Sequence, residues 1–476
     1  MSSAAKFDPA LHILKTLRAA GYEAYFAGGC VRDLLLGREP ADYDVATSAT
    51  PDIVLRMFPH TLAVGAHFGV VLVVTQPDIS SKELAPPQVE VATFRSDGAY
   101  SDGRHPDAVR YTQSAAEDVQ RRDFTINGLL LDPLREGGFL DGSLRAPKIL
   151  RTAVIDHVGG LADLDAGIIR AIGQPERRFD EDKLRLLRAV RFAARFNFSI
   201  EPATHAAMRA LSPRIHAVSR ERVRDELTKM LTEGHARRAF ELLDETGLLA
   251  QVLPEVAKMK GVAQPPQFHP EGDVWIHTLL LLDQLQPGCP ATLAWGALLH
   301  DVGKPPTFRV APDRIRFDGH VEVGVAMGAE ICRRFRFSND ETHQVLALIE
   351  NHMRFADAPR MKDSTLKRFF RLDHFEQHLA LHKMDCVAAH GNLEIWNFVR
   401  ERYEATPAGS VRPRPLITGR DLIAAGYQPG EQFRPMLQAA EDAQLESAIG
   451  TKEEALALVR QLFPLNQSAA SGSSTG

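Results

Sequence analysis

Strand-forming runs are confined to the first third of this chain, and that confinement sets the architectures open to it. YEAYFAGG (22–29), GVVLVV (69–74) and VEVATF (89–94) are β-branched or aromatic runs that read as strands. From about residue 155 to 255 such runs vanish. DEDKLRLLRAVRFAARF and SRERVRDELTKMLTEGHARRAFELLDETG instead carry apolar residues at helical spacing, with arginine-rich faces. A Pro-rich boundary, AQPPQFHPEG (263–272), precedes a second helical block at about 273–390. PAGSVRPRP (407–415) reads as a linker, and the terminal SAASGSSTG as disordered. The pattern predicts an α+β N-terminal head with a mixed sheet, followed by two all-α regions. The expected boundaries are 10–153 for the head, 154–260 for a helical neck, 261–405 for a helical domain, 406–466 for a helical tail and 467–476 for a disordered end.

Composition removes several alternatives. Hydrophobic residues make up 44% and charged residues 25%, which excludes a disordered or fibrous chain. The net charge of -5 gives no global positive field, so any polyanion site must be a local basic patch. The four cysteines, Cys30, Cys289, Cys332 and Cys386, form no CxxC pair, which argues against a thiolate zinc site and suits a reducing compartment. No stretch approaches the ~18 uninterrupted apolar residues of a membrane span. The expectation is a soluble, cytoplasmic protein with no membrane partner.

The N-terminal string GGCVRDLLLGREPADYDVATSATP holds the first chemical constellation. Gly28 and Gly29 close a predicted strand and open a predicted helix, where backbone N–H groups can approach a phosphate. Asp42 and Asp44 flank Tyr43, so in an extended segment both carboxylates share a face. Adjacent carboxylates repel unless a divalent cation neutralises them, and hard oxygen ligands around a triphosphate suit Mg²⁺. Glu90 faces opposite to Val89 and Val91 and is a candidate third carboxylate, or a solvent-facing strand residue. RRDFTINGLLLD supplies Arg121, Arg122, Asp123 and Asn127. The arginines would hold phosphate oxygens, or else begin a solvated helix with Asp123 as its cap. Taken singly, a GG or a DxD is a common turn; their conjunction with Arg32-Asp33 is rarer.

These strings together, continuing through DLDAGIIRAIGQPERRFDEDKLRLLRAVRFAARFNFSIEP, resemble the class II tRNA nucleotidyltransferase and bacterial poly(A) polymerase family over about residues 20–255. Its members are CCA-adding enzymes and relatives, within the polymerase-β-like superfamily. The resemblance implies a polymerase-β-like head and Mg²⁺-dependent transfer from ATP or CTP to tRNA. It makes Asp42, Asp44 and Glu90 catalytic, and gives Gly28, Gly29, Arg32, Arg121, Arg122, Asp123 and Asn127 to the nucleotide. It matches the loop at 96–106 to a flexible loop implicated in switching from C to A addition. EDKLR matches a motif in which protein side chains act as template, placing Glu181, Asp182 and Arg185 on the incoming base.

That last role has a physical basis. Asp182 and Arg185 lie three apart on a predicted helix and would share a face. Arg offers donors and Asp acceptors, which suits cytosine and adenine alike, since each sets an amino donor beside a ring-nitrogen acceptor. Outside the motif, Glu181–Arg185 reads as an ordinary surface ion pair. Arg185, Arg188, Arg191 and Arg195 form one stripe of that helix, Arg188 falling to the nucleotide. Arg191 and Arg195, with Arg220, Arg222 and Arg224 beyond, form the densest basic stretch, suited to an RNA backbone or to a solvated face.

The second helical block carries the histidines. HPEGDVWIHTLLLL gives His269 and His277, WGALLHDVGKP gives His300 and Asp301, and His320, His352 and Asp385 follow. Imidazole and carboxylate ligands without cysteine suit a hydrolytic divalent-metal site. The pattern resembles the HD-domain phosphohydrolase family, which implies a divalent metal at His277, His300, Asp301 and Asp385, with His320 and His352 supplementary. Lys304 would hold a phosphate or be solvated. The leading expectation is CCA addition to tRNA. Poly(A), CC-only or A-only addition are alternatives within the family, and an HD phosphohydrolase acting on terminal or cyclic phosphates, or a non-catalytic RNA-binding body, are alternatives outside it.

Overall fold

The computed structural model describes residues 3–65, 69–74, 88–98, 109–135, 151–267, 269–270 and 272–465. Most of the expected flexible loop (99–106) and the serine-rich C-terminus lie outside the described residues. The chain divides into two compact units, Met1–Ala257 with Leu285–Gly288, and Lys258–Gln284 with Cys289–Gly476.

The first unit begins with α1 (Ser3–Ala19), whose Ala10, Ile13, Leu14 and Leu17 recur at helical spacing and are buried. A seven-stranded mixed sheet follows, in the order β3-β4-β5-β2-β1-β8-β9. Its strands are β1 (Ala24–Ala27), β2 (Val45–Thr47), β3 (Thr61–Gly65), β4 (Val70–Val74), β5 (Gln88–Thr93), β8 (Leu129–Leu131) and β9 (Val154–Asp156). A separate hairpin pairs β6 (Arg95–Asp97) with β7 (Val109–Tyr111). Every ladder in the large sheet is antiparallel except β2–β5, which run parallel with Val45 opposite Val91 and Thr47 opposite Thr93. Helix α2 (Gly29–Leu35) joins β1 to β2, α3 (Pro51–Met57) follows β2, and α4 (Ala115–Gln120) precedes β8. The three expected strands all form. β2, β8 and β9 are too short to stand out in the sequence.

Beyond the sheet, Leu184–Phe196 packs its apolar stripe of Leu184, Leu187, Val190 and Ala194 against Arg220–Thr232 and Ala236–Glu245. It ends at Asn197, whose φ of 56° stops the helix, as asparagine tolerates that conformation. The expectation of a helical neck at 154–260 is corrected: besides β9 (Val154–Asp156), which belongs to the large sheet, Ile168–Ile169 pairs in parallel with Ser199–Ile200. The latter segments are two residues long, below the length at which strand periodicity is readable.

Among its described residues the second unit is helical, apart from a two-residue hairpin pairing Arg309–Val310 with Ile315–Arg316 and an isolated bridge between Ala263 and Asp273. Helices Val274–Leu282, Ala291–Leu299, His320–Arg334, Asn339–Asn351 and Phe375–Ala388 form its body. Asp273 caps the first of these, accepting the Ile276 N–H at 2.7 Å. The turn after Asp301 lies against the start of His320–Arg334: a Cβ on Gly303 would fall 2.0 Å from the His320 carbonyl oxygen, so no side chain fits there. A smaller cluster of Ile417, Leu422, Tyr427, Met436 and Val459 holds the C-terminal helices together. No helix among the described residues is long and apolar enough to cross a membrane.

Candidate functional site

Strand alternation decides which way the acidic pair of the head points. Tyr43 is buried against the rings of Phe7 and Phe26, at centroid distances of 5.3 and 5.6 Å. Asp42 and Asp44 therefore project to the other side, into one open cavity of about 720 Å³. The parallel register then brings Glu90 alongside: Val45 is opposite Val91, so the residues just before them, Asp44 and Glu90, share a row. Burial, then Glu90 and Asp42, push the Asp44 carboxyl up to about 7 against the pull of Arg122. Burial and Asp42 likewise raise Glu90 against Arg122. Carboxylates that resist ionising beside one another are the donor set a hard divalent cation satisfies, so these residues fit a metal. Asp42 also accepts from Lys6 at 3.1 Å. Burial and Asp44 push the Cys30 thiol up to about 12, so it stays protonated at neutral pH.

The same cavity collects residues from strand, turn and neck: Gly28, Gly29, Arg32, Arg121, Arg122, Asp123, Asn127, Asp182, Arg185, Arg188, Arg191 and Arg195 all line it. Gly28 has φ 73°, a backbone conformation that favours glycine, and the Arg122 guanidinium lies close against it. Arg32 is buried and donates to Asp33 Oδ1 at 2.9 and 2.7 Å and to the Asn127 amide oxygen. Its guanidinium lies 5.1 and 4.6 Å from the ring centroids of Phe192 and Phe196. Asn127 donates onward to Asp123 at 3.0 Å, and Asp123 accepts from Arg188 at 2.8 Å. Burial alone would raise the Asp123 carboxyl, but Arg188, the Asn127 amide and Arg185 outweigh it and hold it well below the usual range. Asp33, noted in the sequence as Arg32's neighbour in the GG and DxD conjunction, turns inward with it, whereas nothing in the spacing of Phe192 and Phe196 marks them as members of this network.

Arg121 and Arg122 do not begin a helix. They follow the end of α4 and share Asp118, at 2.6 and 3.1 Å. Asp123 does bond the backbone locally, to the Phe124 N–H at 2.8 Å, but without capping a helix. Asp118 was missed because an acidic residue in a first helical turn reads as dipole complement rather than as an arginine anchor.

The expectation that Asp182 and Arg185 occupy one helix is corrected. Pro175–Glu181 ends at Asp182, whose φ of -143° and ψ of 107° are extended, and a new helix starts at Leu184. The Asp182 carboxylate accepts the Leu184 N–H at 3.0 Å and Arg222 at 2.8 Å. Arg185 instead donates to Glu181 at 2.7 Å and to the Arg121 carbonyl at 3.0 Å. The break still delivers both side chains to the cavity. The arginine stripe also faces inward rather than along an open surface: Arg191 is buried on Glu226 at 2.7 Å, and Arg195 reaches Glu233 at 3.4 Å. Arg222 belongs with Asp182, whereas Arg224 pairs with its neighbour Asp225 at 2.8 Å and Arg220 is half-buried at the start of its helix.

In the second unit His277, His300, Asp301, His320, His352 and Asp385 converge. His277 Nε2 lies 3.1 Å from Asp385, and His300 Nε2 lies 3.1 Å from Asp301 Oδ2. His320 and His352 point their Nε2 atoms at the other oxygen, Oδ1, at 3.9 and 3.8 Å. Backbone carbonyls of Ala297, Phe317 and Ile349 engage the Nδ1 atoms of His300, His320 and His352, which leaves each Nε2 directed inward. The buried Nε2 atoms of His320 and His352 find no hydrogen-bond partner among the described residues. Burial and His300 push His352 down to about 4, so it stays neutral at physiological pH. The set fits divalent metal. Burial would raise Asp301, but His300, Lys304 and His277 hold it well below the carboxylate range. Lys304, expected at a phosphate or in solvent, is instead buried between Asp301 at 2.7 Å and Gln264 at 2.7 Å. Its position in the first turn after Gly303 brings it back over Asp301.

Comparisons with known proteins agree with this anatomy. The chain matches the poly A polymerase head domain over residues 24–170. It matches the "probable RNA and SrmB- binding site of polymerase A" over 197–260 and the HD domain over 273–377. Proteins of the nucleotidyltransferase and HD families depend on metal ions. A CCA-adding enzyme of Levilactobacillus brevis is 32% identical over 434 residues, 91% of this chain and 92% of that protein. One from Lactobacillus johnsonii is 39% identical over 280 residues, 58% of this chain and 64% of that protein, so the chain spans just under two thirds of that relative. Among solved structures, the Bacillus stearothermophilus CCA-adding enzyme in complex with CTP superposes with TM-score 0.70 at 27% identity, covering 96% of this chain and 97% of that one. The Thermotoga maritima CCA-adding enzyme complexed with tRNA shares the fold, at TM-score 0.56 and 17% identity. With a relative aligned along nearly its whole length, and with the head, RNA-binding and HD segments in order, the chain belongs to the CCA-adding enzyme family.

Proposed function

We propose that this chain adds C and A residues to the 3′ end of tRNA, using CTP and ATP and releasing pyrophosphate. The observation that carries the reading is the single cavity uniting Asp42 and Asp44 with Asp182, Arg185 and Arg188. Transfer forms a bond from the 3′ oxygen to the α-phosphorus and breaks the α–β phosphoanhydride, with one proton released. Asp42, Asp44 and Glu90 would hold Mg²⁺, which supplies activation of the hydroxyl and neutralisation of the triphosphate. Gly28 and Gly29 let the backbone approach the phosphates, while Arg121, Arg122 and Arg188 provide charge. Asp182 and Arg185 present acceptor and donors to the base edge; Arg222 and Glu181 hold them ready. Asn127 and Asp123 fix Arg32 and Arg188, and Arg191, Arg195, Arg220 and Arg224 contribute positive charge toward RNA. The four cysteines are free, which supports a reducing, cytoplasmic setting. The chemistry falls to the head at 10–153 and the neck at 154–260.

Incubating tRNA that lacks its 3′ CCA with CTP and ATP, then sequencing the products, tests the reading. Addition of C, C and A supports it. Oligo(A), or addition halted at C or limited to A, selects another member of the family, and no extension overturns it.

A second reading is favoured by the histidine cluster: the HD domain at 261–405 is a divalent-metal phosphohydrolase. Asp301 offers one oxygen to His277 and His300 and the other to His320 and His352, and Asp301, His320, His352 and Asp385 line a cavity of about 790 Å³. Metal analysis of the purified chain and of His300→Ala, with phosphate release from nucleoside 2′,3′-cyclic phosphates as readout, tests it.

A further inference from the structure

The two acids that flank Tyr43 are held in different ways. Asp44 is half-buried, and its backbone carbonyl accepts the Ala27 N–H of β1 at 3.1 Å. Asp42 lies in the stretch 38–44, which forms neither helix nor strand, and its side chain is 72% exposed. What holds it comes from α1, at the other end of the head's sequence.

Phe7 of α1 packs on Tyr43 and Phe26, at ring-centroid distances of 5.3 and 5.7 Å. Phe7, Ala10, Leu14 and Leu17 form the buried stripe of that helix. Lys6 borders the stripe, and its side chain is 33% exposed. A lysine in that position shelters its stem on apolar surface while its ammonium reaches outward. The ammonium donates to the Ala41 carbonyl and to Asp42 Oδ1, the latter at 3.1 Å. Ala41 and Asp42 line the cavity of about 720 Å³, whereas Lys6 lies outside that lining. The acid is therefore gripped from the side away from the nucleotide space.

An exposed ion pair of this kind adds little to stability. Its consequence is electrostatic. An ammonium one carboxylate away from a metal position repels a free divalent cation that approaches alone. The same ammonium attracts a cation that arrives wrapped in a triphosphate, because that complex is net negative. Both effects act well within the ~8–10 Å over which salt leaves charges unscreened.

We infer that Lys6 is the resident counter-ion of the catalytic acids: it occupies Asp42 in the empty site, disfavours metal loading without nucleotide, and favours metal delivered with the nucleoside triphosphate. This rests on the metal-holding role given to Asp42 in the nucleotidyltransferase reading. Lys6 acts through Asp42 and is a positioning residue.

The test uses the full chain carrying His300→Ala, which removes a ligand from the histidine cluster, and reads Mn²⁺ binding by electron paramagnetic resonance without nucleotide. Lys6→Met deletes the charge at similar length, Lys6→Arg keeps it and Lys6→Glu reverses it. Lys6→Met should lower the Kd for Mn²⁺ by about three- to tenfold, and Lys6→Glu should lower it further, while Lys6→Arg stays within about twofold of the parent chain. CTP titrated calorimetrically in saturating Mg²⁺ should bind Lys6→Met no more tightly than the parent. A merely structural lysine would not order metal affinity by charge, nor separate metal alone from metal with CTP. Unchanged or weaker Mn²⁺ binding in Lys6→Met, or Mn²⁺ and CTP affinities that move together, would overturn the assignment. If Asp42→Asn weakens Mn²⁺ binding but the Lys6 variants behave like the parent, only the role of Lys6 is wrong. If Asp42→Asn binds Mn²⁺ as the parent does, the metal-holding role of Asp42 fails, and the role of Lys6 with it.

Discussion

The Asp182 carboxylate receives the Arg222 guanidinium at 2.8 Å, while Arg185 turns to Glu181 at 2.7 Å. In the proposed role, the two side chains that would present complementary edges to one base are thus each steadied by a different partner. Neither neutralises the other before the base arrives.

Removing the acceptor should therefore loosen base choice more than it slows addition. Asp182→Ala is expected to reduce discrimination against UTP and GTP by roughly tenfold to a hundredfold, the ~1–3 kcal/mol carried by a buried polar group left unmatched. Single-nucleotide incorporation with each of the four triphosphates measures this directly. Unchanged discrimination would remove Asp182 from base selection.

Acidity at Asp44 links pH, metal and stability. Its folded-state carboxyl is raised to about 7. A raised carboxyl contributes stability that is fully present below the ordinary range near 3.8 and is lost as pH rises through about 7. Without divalent ions, the melting temperature should fall between pH 5 and pH 8, and Asp44→Asn should flatten that dependence. Protons compete with metal for the same oxygens, so activity at limiting Mg²⁺ should fall below pH 7 and recover with excess Mg²⁺. Scanning calorimetry with and without Mg²⁺ checks the sign.

Arg32 is buried between two phenylalanine rings and satisfied by Asp33 and Asn127. Arg32→Ala should cost about 3–5 kcal/mol, because it strands a buried Asp33. Arg32→Lys should recover little, since an ammonium cannot reproduce the planar fork or the ring contacts. Urea unfolding of the full chain, followed by backbone hydrogen exchange of peptides from residues 3–65 and 184–196, measures both.

At the histidine cluster, His300→Ala and Asp301→Asn should each release bound divalent metal, read by elemental analysis. Extension of tRNA should persist in His300→Ala. Asp301→Asn should lose more stability than His300→Ala, because it also strands buried Lys304.

The sequence made the chemistry legible where local spacing suffices. Asp42 and Asp44 share a face because Tyr43 alternates into the core, and the HD dipeptide announces His300 and Asp301. Spacing misled where a helix breaks: nothing in EDKLR signals that Asp182 turns extended, because its capping of Leu184 is visible only once the break exists. Ion-pair partners were the least readable. Arg222 is forty residues from Asp182, and an arginine on a helix face reads the same whether a carboxylate or a phosphate awaits it. The inward face of Leu184–Phe196 was hidden likewise, since its arginines spell a surface stripe until Asp123, Glu226 and Glu233 are brought against them.

One ladder acts as a ruler. The parallel pairing of Val45 with Val91 is what sets Asp44 beside Glu90. A slip of a single residue would turn every side chain of β5 to the opposite face and carry Glu90 into the apolar interior. The seam is therefore a metrological device as much as a structural one: the alanine and valine residues flanking it hold the gauge between two acids that would otherwise spring apart, and no local repair elsewhere in the head resets that distance once it is lost.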